Sequence, residues 1–520
     1  MTDFAGLRAA FFDRWRDAHP DEAGTLGIVD PVGRLCDPSR EAIEDEARAL
    51  GAMLRALEPC PVDGEARLDA WMITSWARHE VRRVARGAHL ANVELGLLPY
   101  HLLRHHLVHA EDETARAVAA SRIRAIPAFL AAHERTLAAG IAEGVRAHAG
   151  TVQWIAERSL PAIARALDDL GAPDAARAYE AHARFLNDRV RPSARTSGAI
   201  GAEETRARLG DMALSLETSL AEAHVELERA HDGLVRAAAR VPELDGARDV
   251  AAVRAAMQPL YARSIASRDD DVIPAYEALV TRASAFARAH GLVPFDDALA
   301  VRVGVLPPAI AEAGHAQNWA APLVAPQPRA DFLVARDARV HPAMAAPLLA
   351  VHEAVPGHAL QSLAFARAHG RDPRPVRFLA IADDVAMARS YFGAMLSIEG
   401  WATWVEHRML ELGFYEGLAT VYAWNVRAIR AARVIVDLGI HGETMSIAEA
   451  RSFLNDRALL PDSIATREVA RYQRIPLQAL TYLTGALAIE RHLAPHRARG
   501  DETRAIAALL AAGPVPPALL

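Results

Sequence analysis

Lysine is missing from all 520 residues, so every cationic side chain other than histidine is arginine. Beside so much alanine, this reflects a GC-rich bacterial genome rather than a function. Cysteine is nearly absent as well: Cys36 and Cys60 are too few for a disulfide framework or a thiolate zinc site. No apolar stretch reaches the roughly 20 uninterrupted residues of a membrane helix. The opening Met1-Thr2-Asp3-Phe4 lacks the basic-then-apolar pattern of a secretory signal. A cytoplasmic protein with no membrane partner is expected. The net charge of −7 argues against nucleic acid as a partner, since such binders carry a basic surplus or stripe. No G-x-S-x-G, Walker or dinucleotide-binding pattern occurs. What the chain does have is material for a core, with 52% hydrophobic residues.

The pattern of that apolar content is helical. Up to about residue 265, segments such as Ala66–Arg86, Ala115–Glu143, Val152–Leu170, Ala175–Val190 and Glu203–Ala238 repeat apolar residues every three or four positions. Pro and Gly clusters between them predict turns, and no fixed-period repeat points to a solenoid. Between Val293 and Pro347 many prolines break any long helix, and Asp331-Phe332-Leu333-Val334-Ala335 is a candidate short strand. Helical periodicity resumes from Pro347, and the tail after Gly513 reads as frayed. The fold class expected is mainly α. An N-terminal helical region, 1–265, would wall one side of a deep cleft, and a metal-binding region, 266–520, would form the other. The two could also make one compact domain.

The chemistry concentrates in His352-Glu353-Ala354-Val355-Pro356-Gly357-His358. Two histidines and a glutamate on a helix are the raw material of a zinc hydrolase. Neutral imidazoles bind the metal, and the glutamate takes a proton from the water that the metal activates. In H-E-x-x-H the histidines stand at i and i+4, on one face of a helix with about 3.6 residues per turn. Here the second histidine stands at i+6, roughly 120° out of register in an unbroken helix. Pro356 and Gly357 lie where the mismatch must be absorbed, because proline removes an N–H and clashes with the preceding turn while glycine adopts angles closed to other residues. The spacing predicts a bulge or break that swings His358 back toward the metal. His352 and His358 are the expected ligands and Glu353 the expected general base.

These residues resemble the H-E-x-x-P-G-H signature of the domain of unknown function 885 family, bacterial proteins grouped with zinc peptidases of the gluzincin type. Other segments are similar to that family in the same order. Arg122 to Gly140 opens with its R-x-x-A-I-P run, and Glu399-Gly400-Trp401-Ala402 with Glu406 resembles its E-G-W-A-x-x-x-E segment. Arg433 to His441 resembles R-x-V-V-D-x-G-x-H. Arg471-Tyr472, then Pro476 to Gly485 with Gln478 and Tyr482, resembles R-Y…P-x-Q-A-x-x-Y-x-x-G. Two positions depart: Ala359 stands where many relatives carry another histidine, and Leu438 where threonine is common. The resemblance implies a large helical zincin-like metallohydrolase that holds Zn2+, with Glu399 as the third ligand because a downstream helix supplies a glutamate in gluzincins. Glu406, two turns on, is the alternative ligand, a buttress for a histidine, or a solvated surface group. By the same analogy an edge strand lies beside the metal helix, and Asp331–Ala335 precedes His352 by a suitable distance.

Asp437 and His441, four apart, share a helix face. The histidine could steady an oxyanion with its tautomer fixed by the aspartate, or the two could be a buried structural pair. Tyr472 or Tyr482 could donate to an oxyanion, and Arg471 could grip a substrate carboxylate; packing is the alternative for all three. His101, His105, His106 and His109 form a second cluster with no helix breaker or general base beside it, and read as an exposed helix face. The function expected is zinc-dependent hydrolysis of a peptide or amide bond in a small substrate by metal-activated water. A non-peptide biosynthetic intermediate as substrate, or a non-catalytic binding role, are the alternatives, and retention of Glu353 argues against the last.

Overall fold

In the computed structural model, residues 3–109, 113–295, 298–306, 315–386, 389, 391 and 393–520 are described, the side chains of 105–109 and 384–386 excepted. The chain is mainly helical with one three-stranded sheet, the class that the periodicity predicts. Among the described residues no helix is long and apolar enough to cross a membrane. The chain forms two compact units, Met1–Ala199 with Asp372–Ala394, and Ile200–Arg371 with Met395–Leu520.

Helices of the first unit include Phe4–Ala18, capped by the Asp3 side chain, and Arg40–Leu57, capped by Ser39. Its core joins Leu98, Leu103, Ile126, Leu130, Val152, Leu160 and Tyr179. Several charged side chains are buried in this unit, Arg389 among them. Arg389 donates to both oxygens of Glu22 at 2.9 Å, to Asp383 at 2.7 Å and to His19 at 2.6 Å. The second histidine cluster lies on the helix Leu98–His109. His101 is partly buried, and the side chains of His105, His106 and His109 lie outside the described residues.

In the second unit, the helices that matter for the site are α1 (Leu216–Ala238), α2 (Ala346–Glu353), α3 (His358–His369), α4 (Met395–Glu411), α5 (Leu418–His441), α6 (Asp462–Arg474) and α7 (Thr481–Arg499). The sheet has β1 (Val301–Val305) parallel to β3 (Ala330–Val334), and β2 (Ala316–Trp319) antiparallel to β3 on its other side. The strand expected at Asp331–Ala335 therefore exists, but as the central strand. Its residues Ala330 to Val334 are all buried, which fits a strand covered on both faces. The edge beside α2 is β2 instead.

Two helix pairs set the frame. α1 runs along α5: Gly233 makes room for the Trp424 ring, Arg427 donates to Glu226 at 2.9 Å, and Leu227 and Ala230 share a core with Ala431 and Val434. These contacts, distant in sequence, place residues 200–265 with the second unit, so the division falls at Ala199 and Ile200 and not near residue 265. α4 packs on α7 through a close approach of glycines. A Cβ on Gly400 would lie 2.6 Å from the Gly485 Cα, and one on Gly485 would lie 2.1 Å from the Leu396 carbonyl oxygen. The tail after Gly513 is not frayed. Pro514 to Pro517 are buried, and the turn Pro517–Leu519 packs on α7.

The glycine contact is testable. Gly485→Ala should lower stability by about 1–3 kcal/mol, the usual cost of overpacking. Gly210→Ala, on an exposed helix with nothing within 4 Å of the new methyl, should be neutral or stabilise by about 0.4–1 kcal/mol. Thermal unfolding of both variants checks this, and equal effects would refute it.

Candidate metal centre

α2 ends at Glu353. Ala354 leaves helical space at φ −106°, ψ −103°, the Val355–Pro356 peptide is cis, and α3 begins at His358. Glycine is required at 357: a Cβ there would meet the His352 carbonyl oxygen at 1.9 Å and that of Val351 at 2.3 Å. The Trp401 indole, on α4, donates to the carbonyls of Pro356 at 2.9 Å and Gly357 at 3.3 Å and holds the break in place. The helix thus breaks where the spacing predicts. The rings of His352 and His358 meet edge to face, 4.7 Å apart at 79°.

Two residues before Trp401, Glu399 points at both rings. Its Oε2 lies 3.4 Å from His352 Nε2 and 3.6 Å from His358 Nε2, and the three donor atoms all fall within 4.8 Å of one another. That oxygen is buried and accepts no hydrogen bond. Burial opposes its charge, but His352 and His358 outweigh burial and hold the Glu399 carboxyl well below its ordinary range. Burial also opposes a charge on His352, yet Glu406 and Glu399 raise its pKa to about 10.

Glu406 takes the buttressing position. Its Oε1 accepts from His352 Nδ1 at 2.7 Å, while Arg430 on α5 grips both of its oxygens. Glu353 is fixed from the sheet: the Asn318 amide on β2 donates to its Oε2 at 3.0 Å, and the Asn318 side chain donates to its carbonyl at 2.8 Å. Tyr482, from the first turn of α7, lies parallel to His352 with centroids 6.3 Å apart at 11°. The guanidinium carbons of Arg430 and Arg433 lie 5.4 and 5.6 Å from its centroid. Burial first, then the nearby Glu399 charge, raises the pKa of the Tyr482 phenol, so it stays a hydrogen-bond donor.

The other expected residues gather elsewhere in the same unit. The Tyr472 hydroxyl, in the core, donates to Glu468 at 2.8 Å, and Arg471 donates to Gln478 at 2.8 Å and to Glu468 at 3.1 Å. His441 is wholly buried; its Nε2 donates to the Tyr472 carbonyl at 3.0 Å and lies 3.4 Å from Asp437. Asp437 accepts from the amides of Leu477 at 3.2 Å and Leu480 at 3.3 Å. This wiring ties α5 to α6 through the Tyr472 carbonyl and to the turn before α7 through Leu477 and Leu480. It places His441 and Tyr472 in a packed knot instead of at the imidazoles. Ala359 is wholly buried beside Ala321 and Ala330. In the first unit Asp21, Glu22 and Cys36 also converge, but Arg389 already takes both Glu22 oxygens and opposes a cation there.

A family model matches residues 20–520. The chain belongs to the bacterial proteins of unknown function called DUF885. Two solved structures are similar along almost their whole lengths, both described as candidate lipoproteins. That from Shewanella oneidensis, of unknown function, is 18% identical with a TM-score of 0.74, covering 100% of this chain and 98% of its own. That from Colwellia psychrerythraea is 16% identical with a TM-score of 0.76, covering 99% and 97%. At these identities the likeness shows the fold alone. No curated protein matches the chain.

In this DUF885 chain, sequence reasoning missed Asn318, Arg430, Arg433 as a side chain of the site, and Glu468. Arg430 and Glu468 had a signal, each standing three residues before an arginine of a recognised segment and so on the same helix face. Asn318, in the proline-rich stretch, had none.

The buried knot gives a pH test. Burial pushes the Asp437 carboxyl up to about 7, against the pull of its amide hydrogen bonds. A raised carboxyl binds its proton more tightly when folded, so its stabilisation is complete below the ordinary value of 3.8 and is lost as pH rises through about 7. The stability of the native chain minus that of Asp437→Asn should therefore fall as pH rises from about 4 to about 7. Urea unfolding across that window reads the difference, and a flat or rising difference would refute the assignment.

Proposed function

We propose that this protein is a zinc-dependent hydrolase of the gluzincin pattern that cleaves a peptide or amide bond in a small substrate with an activated water. One observation carries the reading. The buried Oε2 of Glu399 lacks a hydrogen bond and stands 3.4 and 3.6 Å from two imidazole nitrogens. Ligands about 2.0–2.2 Å from a tetrahedral zinc stand roughly 3.3–3.6 Å from one another. Two nitrogens and one oxygen also form a donor set that leaves a catalytic zinc one open position. His352, His358 and Glu399 would hold the ion.

When bound, zinc would supply Lewis acidity and make a water molecule nucleophilic near neutral pH. Glu353 receives the proton of that water. Its Oε2 is fixed by the Asn318 amide, and its other oxygen carries the proton on to the leaving nitrogen. The Glu406–Arg430 pair holds Nδ1 of His352 as a donor, which turns Nε2 toward the metal side. Tyr482 donates to the oxyanion of the attacked carbonyl. β2 is an edge strand beside Glu353, which suits pairing with an extended substrate backbone.

Elemental analysis and a panel of dipeptide and amide substrates test this. One zinc per chain is expected, lost in His352→Ala. Glu353→Gln should keep metal and fold while lowering kcat/KM by about 10²–10⁴-fold or more. Glu399→Gln should weaken metal affinity first and regain part of its activity when zinc is added. Absence of tightly bound metal after zinc supplementation, or full activity of Glu353→Gln, would overturn the reading.

A further inference from the structure

We propose that Arg433 and Arg471 form an anion subsite for a free carboxylate of the substrate. The substrate class is then a short peptide or acylated amino acid cut within about three residues of its C-terminal carboxylate. This rests on the hydrolase reading and deepens it by naming the substrate.

The subsite follows from a charge imbalance. Arg433, on α5, donates to Glu468 Oε2 through Nε at 3.0 Å, and Arg471, on α6, donates to the same oxygen through Nη2 at 3.1 Å. The Tyr472 hydroxyl takes that oxygen too, at 2.8 Å. Two guanidiniums thus share one carboxylate, and one positive charge is left over. The neighbouring acids do not cancel it. Glu406 is gripped by Arg430, and Asp437, one turn beyond Arg433, turns its oxygens onto the amides of Leu477 and Leu480. Both side chains are partly exposed, at 21% and 22%. Gln478 fixes Arg471 from the far side at 2.8 Å. A fixed pair of planar guanidiniums with surplus charge suits a carboxylate.

Tyr482 links this pair to the hydrolytic centre. One contact of 6.3 Å separates its ring from that of His352, and one of 5.6 Å separates it from the Arg433 guanidinium carbon. An extended residue spans about 3.3–3.6 Å, so two such steps hold no more than about three residues between the scissile bond and the carboxylate.

The test reads binding, so it does not depend on turnover. Zinc-loaded Glu353→Gln protein is titrated calorimetrically with N-acetyl tripeptides carrying apolar, polar and charged side chains, each as the free acid and as the C-terminal amide. Free acids should bind about 10–100-fold tighter than their amides, the range of charge-assisted hydrogen bonds. Adding Arg433→Gln or Arg471→Gln should abolish that difference. Adding Glu468→Gln, which keeps the shape but removes the shared negative charge, should widen it several-fold, whereas loss of a merely structural bridge would weaken binding or leave it unchanged. Equal affinity for acid and amide, no saturable binding of either, or a narrowed difference in Glu468→Gln overturns the subsite. If the unsubstituted protein hydrolyses acids and amides alike, the subsite falls and the hydrolase reading stands. Acid-selective binding with no hydrolysis has the opposite meaning.

Discussion

The carbonyl oxygen of His352 occupies the space that a side chain at position 357 would need. That exclusion lets the chain turn back within four residues and set two histidines six apart in sequence ring to ring. An unbroken helix would carry them to different faces. The turn is held from outside by the Trp401 indole, so its geometry belongs as much to α4 as to α2 and α3. The segment Glu399-Gly400-Trp401 shows how three consecutive helical residues divide the work. Successive side chains on a helix point about 100° apart. Glu399 faces the imidazoles, Gly400 admits α7 to backbone contact, and Trp401 faces the break. A larger residue at 400 would push α7 away, and Tyr482 with it.

α5 carries the electrostatics. Arg430, Arg433, Asp437 and His441 recur at steps of three and four, the spacing of one helix face. Arg430 neutralises Glu406, which orients His352; Arg433 shares Glu468 with Arg471; Asp437 secures the turn before α7 and His441 the end of α6. The aromatic face of Tyr482 lies against two of these arginines and against His352. Buried ion pairs are weak net contributors to stability, because desolvation offsets the attraction. Their role here is better read as orientation. Glu406 and Glu468 are each bound by arginines, whereas Oε2 of Glu399 faces the two imidazoles.

Much of this was legible in the sequence because it is local. The 3.6-residue periodicity gives the helices, and the i+6 spacing with Pro356 and Gly357 gives the break. What the sequence hid depends on contacts between distant segments. The pairing of α1 with α5 decides where the units divide. The order of three short strands decides that β2, and not Asp331–Ala335, flanks Glu353. His441 and Tyr472 carry polar groups suited to an oxyanion, but their roles are set by what surrounds them, here a backbone carbonyl and Glu468. The tail looked frayed because its prolines exclude helix, yet burial does not require helix.

The connectivity adds a constraint that neither unit shows alone. Between His358 and Glu399 the chain leaves the second unit at Arg371 and returns at Met395. The segment between folds into the first unit, where Arg389 joins Asp383 to Glu22 and His19. The first unit therefore cannot be removed at residue 199 without leaving Asp383 and Arg389 short of partners. An uncompensated buried charge costs about 3–5 kcal/mol. The two converging histidines and Glu399 therefore stand on opposite sides of that excursion in the sequence.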